Sequence, residues 1–212
     1  MSIVHHPSDE LLLSYAAGAT HEAASLVIAT HLALCPACRR LTAKAEEAGG
    51  ALIESVQPAA MGEGALKSVL SRLDSAPVAK SRARAPSSVP EPLRSYVGGD
   101  LGQVPWKKIT DGIAFLPLFH RGKTRAHLVR TEPGVGVGLH AHRGEELSMV
   151  LTGGYTDETG HYQRGDFHAT SPDIVHRPVA DEGEACIVLA MSEAPLKFRG
   201  LMDALIARWF GF

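Results

Sequence analysis

Apolar residues along the chain follow two different periods, and the switch between them divides the sequence. From about residue 8 to residue 75 the spacing is helical. Ser8 stands where an N-cap belongs, and Asp9 and Glu10 fill a first turn in which carboxylates favour the helix dipole. Leu11, Leu12, Leu13 and Tyr15 follow, and Gly18 ends the run. Thr20 is the expected cap of a second helix with apolar positions Ala23, Leu26, Val27 and Leu34. Pro36 suits the first position of a third helix through Arg39 and Glu46, which Gly49 and Gly50 should weaken or bend. A fourth segment carries Leu66, Val69, Leu70 and Leu73, an i, i+3, i+4, i+7 stripe. Such a stripe reads first as a core face and second as a face for a partner helix.

The helical period stops at APVAKSRARAPSSVPEPL, where Pro, Ala, Ser and Arg dominate, as in a semi-stiff linker. From about residue 95 the pattern is β. Ile113–Leu118, Ala126–Arg130, Glu146–Leu151 and Cys186–Met191 are short apolar runs punctuated by Gly, Pro and Asp turns. That rhythm suits a barrel or sandwich better than βαβ units. A short amphipathic helix is expected over Leu201–Phe210. The boundaries expected are 1–78 for a helical domain, 79–94 for the linker and 95–212 for the β domain.

Composition narrows the function classes. With 212 residues, 45% hydrophobic, the chain has material for a real core. A formal net charge of -2 argues against a protein built to bind a nucleic-acid backbone. No apolar run reaches membrane-spanning length, and the start, Met-Ser-Ile-Val-His-His, has neither the basic nor the apolar part of a secretory signal. A cytoplasmic location is expected, without a membrane partner. Three cysteines in a reducing compartment do not read as a disulfide framework, and 11 histidines invite a search for clusters.

One cluster is His31-x3-Cys35-x2-Cys38. On a helix His31 and Cys35 lie one turn apart on one face, and the break at Pro36 brings Cys38 back toward them. Sulfur and imidazole ligands converging in this way suit tetrahedral Zn²⁺. A closed structural site needs a fourth ligand, and His5 and His6 are the nearest candidates. The bland reading is a pair of core thiols beside a packed histidine. A redox Cys-x-x-Cys normally follows a strand, whereas here a helix precedes the pair.

The second cluster is His140-x-His142-x3-Glu146, with His176 further on. Histidines two apart on a strand point to the same side, so a hairpin can aim His140, His142 and Glu146 inward. Three imidazoles and a carboxylate make an N/O-rich metal site. The bland reading is packed histidines without metal. His120, His127, His161 and His168 show no spacing logic and are expected at the surface or in structural roles, with one of them open to supporting a ligand. Cys186, in an apolar run, reads as a core thiol.

Two resemblances join these readings. The segment from Gly134 through Gly153, with Gly165 and His176, resembles the cupin signature, which implies His140, His142, Glu146 and His176 as metal ligands. The metal implied is zinc or another divalent transition ion. His5-His6 followed by THLALCPAC resembles the ChrR-type zinc-bound anti-sigma factors, and the likeness extends over both halves. That family pattern places His6 with His31, Cys35 and Cys38 on zinc and leaves His5 as a solvated neighbour. The resemblance implies an α+β multidomain chain: a zinc-stabilised four-helix anti-sigma domain and a C-terminal cupin β-barrel. It implies a protein that binds an extracytoplasmic-function-type sigma factor, blocks its access to RNA polymerase and releases it under singlet oxygen or related oxidants. A dimer through the cupin is left open. The alternative is a cupin-type metal-dependent dioxygenase with an accessory zinc domain, in which Arg143 and Tyr162 would contact substrate.

Overall fold

The computed structural model describes residues 2–75, 87–194 and 197–198. Five helices come first: α1 (Asp9–Ala16), α2 (Glu22–Leu34), α3 (Pro36–Glu54), α4 (Ala65–Ser75) and α5 (Glu91–Val97). Ser8 caps α1 as its position predicts, its hydroxyl accepting the Leu11 amide at 3.2 Å. The cap of α2 is His21 rather than Thr20. The His21 ring accepts the Ala24 amide, while the Thr20 hydroxyl is engaged with Ser25 Oγ at 2.7 Å. Gly49 and Gly50 do not interrupt α3, which continues to Glu54.

α2 is apolar all round, which marks a helix buried on every side. It packs on α1 and α3 and also lies against β3, β5 and β11 of the sheet described next. Val27, Ile28 and His31 are fully enclosed. α5, whose first residues fall in the stretch read as linker, sends Leu93 into the same core and packs on α2. α4 is different. Leu66, Val69, Leu70 and Leu73 are each at least half exposed, so the stripe is not a core face in this chain. The expected C-terminal helix and residues 76–86 of the linker lie outside the described residues.

Twelve strands follow: β1 (Lys107–Thr110), β2 (Ile113–Arg121), β3 (Thr124–Thr131), β4 (His140–Ala141), β5 (Glu146–Thr152), β6 (Gly154–Asp157), β7 (Gly160–Gln163), β8 (Phe167–Thr170), β9 (Val175–His176), β10 (Val179–Ala180), β11 (Cys186–Ser192) and β12 (Lys197–Phe198). They form a six-stranded sheet, β1-β2-β3-β11-β5-β8, and two three-stranded sheets, β10-β6-β7 and β12-β4-β9. Every named pairing is antiparallel.

The period of two decides what each face meets. Along β5, Leu147, Met149 and Leu151 join the core shared with the helices, whereas Val150 joins a smaller cluster with Tyr155, Tyr162 and Cys186. β11 splits likewise, with Ile187, Leu189 and Met191 on the helix side and Cys186 and Val188 opposite. Gly134, Gly153 and Gly165 turn with φ of 70°, 62° and 96°, conformations cheap for glycine alone. β8 ends the large sheet, and its outer edge is taken by the N-terminal segment: the Phe167 amide donates to the His5 carbonyl at 3.1 Å.

Candidate metal centres

His31 leaves the last turn of α2, Cys35 is the residue joining α2 to α3, and Cys38 sits in the first turn of α3. Pro36 starts α3 without an amide to satisfy, so the chain reverses within one residue and folds Cys38 back onto His31. The structure brings the ligand atoms of His6, His31, Cys35 and Cys38 within 4.8 Å of one another. His6 Nδ1 lies 3.5 Å from Cys35 Sγ and 3.3 Å from Cys38 Sγ, and His31 Nε2 lies 3.3 Å from Cys38 Sγ. A tetrahedron with Zn–S arms of about 2.3 Å and Zn–N arms of about 2.0–2.1 Å has N···S edges of roughly 3.5 Å, so the cluster fits that ion. His31, Cys35 and Cys38 are buried and His6 is exposed. A cleft of about 580 Å³ opens beside His6 and Cys35, with Arg40 and Arg164 in its lining.

His5 is not a solvated neighbour. Its ring packs 4.5 Å from that of Tyr162, and its Nε2 lies 3.1 Å from the His161 carbonyl.

Electrostatics suit the Cys/His cluster to a cation. Burial pushes the Cys38 thiol up to about 12, with the neighbouring Cys35 adding to the effect. Burial also lowers His31 to about 4, partly offset by its bond to the Gly165 carbonyl. A neutral imidazole and a thiol that ionises only beside a positive charge are a metal site's ingredients.

The second centre is assembled from three strands. β4 places His140 beside His176 of β9 in direct register, and β5 begins with Glu146. The ligand nitrogens of His140, His142 and His176 lie within 4.8 Å of one another. His142 Nε2 is 3.0 Å from His176 Nε2 and 3.1 Å from Glu146 Oε2. The outer nitrogens fix two of the rings: His140 Nδ1–H donates to the Gly138 carbonyl at 2.7 Å, and His176 Nδ1–H to Asp157 Oδ2 at 2.8 Å. With Nδ1 donating in each ring, Nε2 is the nitrogen turned inward and free to offer a lone pair to a metal. Buried lone pairs facing a carboxylate repel unless a proton or cation lies among them, and the donor set fits a divalent transition ion. Separations of 3.0–3.1 Å match ligands at right angles on arms of roughly 2.1 Å, an arrangement with room for further ligands. Burial lowers His140 to about 4 and His142 to about 3, and raises Glu146 to about 7.

Two residues around this centre were not singled out by spacing. Asp157 orients His176, in the carboxylate–histidine pairing common behind metal ligands. Burial would raise its carboxyl, but hydrogen bonds from His176, the Thr159 hydroxyl and the Thr159 amide hold it well below the usual range. His168 lies buried with its ring centroid 5.9 Å from that of His176, accepts or donates at 2.9 Å to the Tyr155 hydroxyl and stacks on Tyr162. The readable signal was the alternation in β8, which sends Phe167 to the helix side and His168 inward. Of the other histidines, His127 is buried, His161 is exposed and pairs with Asp181 at 2.7 Å, and His120 is exposed. Arg143 is exposed, and Tyr162 is packed inside the smaller cluster.

Known proteins match along the whole chain. The profile of the ChrR cupin-like domain matches residues 95–194. The chain is 40% identical over 215 residues to the anti-sigma-E factor ChrR of Cereibacter sphaeroides, covering 99% of each. Its structure is similar to the crystal structure of Rhodobacter sphaeroides SigE in complex with the anti-sigma ChrR, with a TM-score of 0.81 and 41% identity over 90% of this chain and all of that one.

Proposed function

This chain belongs to the ChrR family of anti-sigma factors, and on that premise we propose that it captures a sigma factor of the extracytoplasmic-function type and withholds it from RNA polymerase. One observation carries the reading. The end of α3 and the stripe of α4 hold apolar side chains with none of the described residues over them: Leu52, Ile53, Leu66, Val69, Leu70 and Leu73 are 50–75% exposed. Apolar helix faces of this kind mark a protein-binding surface. The Cys/His cluster, holding zinc through His6, His31, Cys35 and Cys38, fixes the α2–α3 corner from which this surface extends. In the proposed division of labour, residues 1–78 capture, 79–94 connect and 95–212 sense.

The cupin centre of His140, His142, Glu146 and His176 is the sensor in this reading, loaded with zinc or another divalent transition ion and answering singlet oxygen or related oxidants by freeing the sigma factor. Zinc at the Cys/His cluster would supply structural cross-linking, and the ion at the cupin would supply a ligand field open to change.

Capture is tested by co-purifying the full chain with the sigma factors of its own genome. Leu66→Asp with Leu70→Asp should abolish capture while leaving the circular dichroism and metal content unchanged. Undiminished capture by that pair would refute the assigned surface. Sensing is tested by exposing the complex to singlet oxygen with and without His140→Ala, and equal release from both would refute the cupin as sensor.

A further inference from the structure

The Cys/His cluster is not held by helices alone. The His31 ring points its Nδ1–H at the Gly165 carbonyl, 2.9 Å away in the turn between β7 and β8. That bond fixes the tautomer and leaves Nε2 as the lone pair facing the thiols. The segment that presents His6 is pinned to the same turn. Asp166 Oδ1 accepts the amides of Val4 at 2.7 Å and His5 at 3.0 Å, and the Phe167 amide donates to the His5 carbonyl. Asp166 is buried, and its second oxygen accepts the Gln163 amide at 2.9 Å, closing the turn on itself. Gly165 turns with φ of 96°, and a Cβ there would stand 2.7 Å from the Ile3 side chain and force it to shift. Two of the four candidate ligands, His6 and His31, are therefore oriented by three successive cupin residues.

The same strand reaches the other centre. Phe167 and His168 are neighbours on β8, so their side chains fall on opposite faces. The Phe167 ring stands edge-on to His31 at a centroid distance of 5.8 Å, and the His168 ring lies 5.9 Å from His176. One peptide unit separates a contact to each centre.

We infer that the cupin turn Gly165–Asp166–Phe167 orients two ligands of the Cys/His site from behind, so that this site holds its metal more tightly while the cupin keeps the turn in place. The inference rests on the reading that His6, His31, Cys35 and Cys38 bind zinc. Partners behind a metal ligand typically change affinity by about ten- to a hundred-fold when removed.

The test uses the full chain reconstituted with zinc and the chelator 4-(2-pyridylazo)resorcinol as probe. Cys35→Ser identifies the zinc belonging to the Cys/His site. In Asp166→Ala the release of that zinc should quicken by about ten- to a hundred-fold, with release from the cupin site changing less. Unchanged release from a folded Asp166→Ala chain overturns the inference. Should that variant fail to fold, the His31 tautomer of the unaltered chain decides. The unaltered chain has its own readout: ¹⁵N spectra of the histidines should show His31 protonated at Nδ1, and a proton on Nε2 overturns the inference. A chain whose zinc content is indifferent to Cys35→Ser refutes the metal reading instead, and the His31 tautomer still decides whether the turn orients that ring.

Discussion

His31 uses both ring nitrogens, one toward the thiols and one toward a carbonyl 134 residues away in sequence, and this double use shows what a spacing motif leaves out. His31-x3-Cys35-x2-Cys38 was legible because all three lie within one helical corner. The choice between His5 and His6 was not, since it depends on which ring the β8 edge turns toward α2 and which toward Tyr162. Asp157 was silent for a similar reason: an aspartate at the end of a strand looks ordinary until His176 donates to it. Residue-level chemistry gives two expectations. Zinc counted by mass spectrometry of metals should fall by about one ion per chain in Cys38→Ser, with the cupin ion retained; loss of both ions together would contradict two independent ligand sets. Asp157→Asn should weaken metal binding at the cupin by about ten- to a hundred-fold, read by competition with a chelator. An unaltered affinity would show that the Asp157 bond is dispensable for aiming the His176 ring.

At the scale of elements, type was easier to read than environment. The helical runs up to residue 75 and the major strands stand where periodicity places them, because each is decided by neighbours a few residues apart. What covers each face is decided elsewhere in the chain. α2 is apolar all round and is enclosed by helices and sheet, while the one-sided stripe of α4 lies exposed among the described residues. A one-sided stripe tells which face is apolar but not what meets it, and the reading of α4 as a core face failed on that point. The contrast has a measurable form. Ile28→Ala in α2 should lower unfolding free energy by about 2–5 kcal/mol, the usual loss for truncating an enclosed aliphatic side chain. Leu52→Ala, at an exposed position, should change it by less than about 0.5 kcal/mol. Equal losses in urea titrations would mean that Leu52 is covered in solution.

For the whole molecule, the buried histidines set how stability follows pH. Burial lowers His31, His127, His140 and His168 to about 4, and His142 to about 3. In the unfolded chain each takes up a proton near 6.5, so between those values the unfolded state binds more protons and stability rises with pH. Their contribution is complete above about 6.5 and is lost as pH falls toward about 4, with a slope of up to about 1.4 kcal/mol per pH unit for each ring. Glu146 works the other way: raised to about 7, it lowers stability as pH climbs from about 4.5 to 7. Five rings outweigh one carboxyl, so the metal-free chain should unfold at clearly lower urea near pH 5 than near pH 7.5. A midpoint indifferent to pH would show that these rings are hydrated in the fold. The placement of α2 between α1, α3 and the sheet adds a consequence for cooperativity. A helix whose two sides belong to one continuous core gives the helical and β parts no plane along which to come apart, so calorimetry should record one transition with matching calorimetric and van't Hoff enthalpies. The α2–α3 corner and the strands of the sheet then share a single melting point, and whatever loosens the strands shortens the lifetime of that corner.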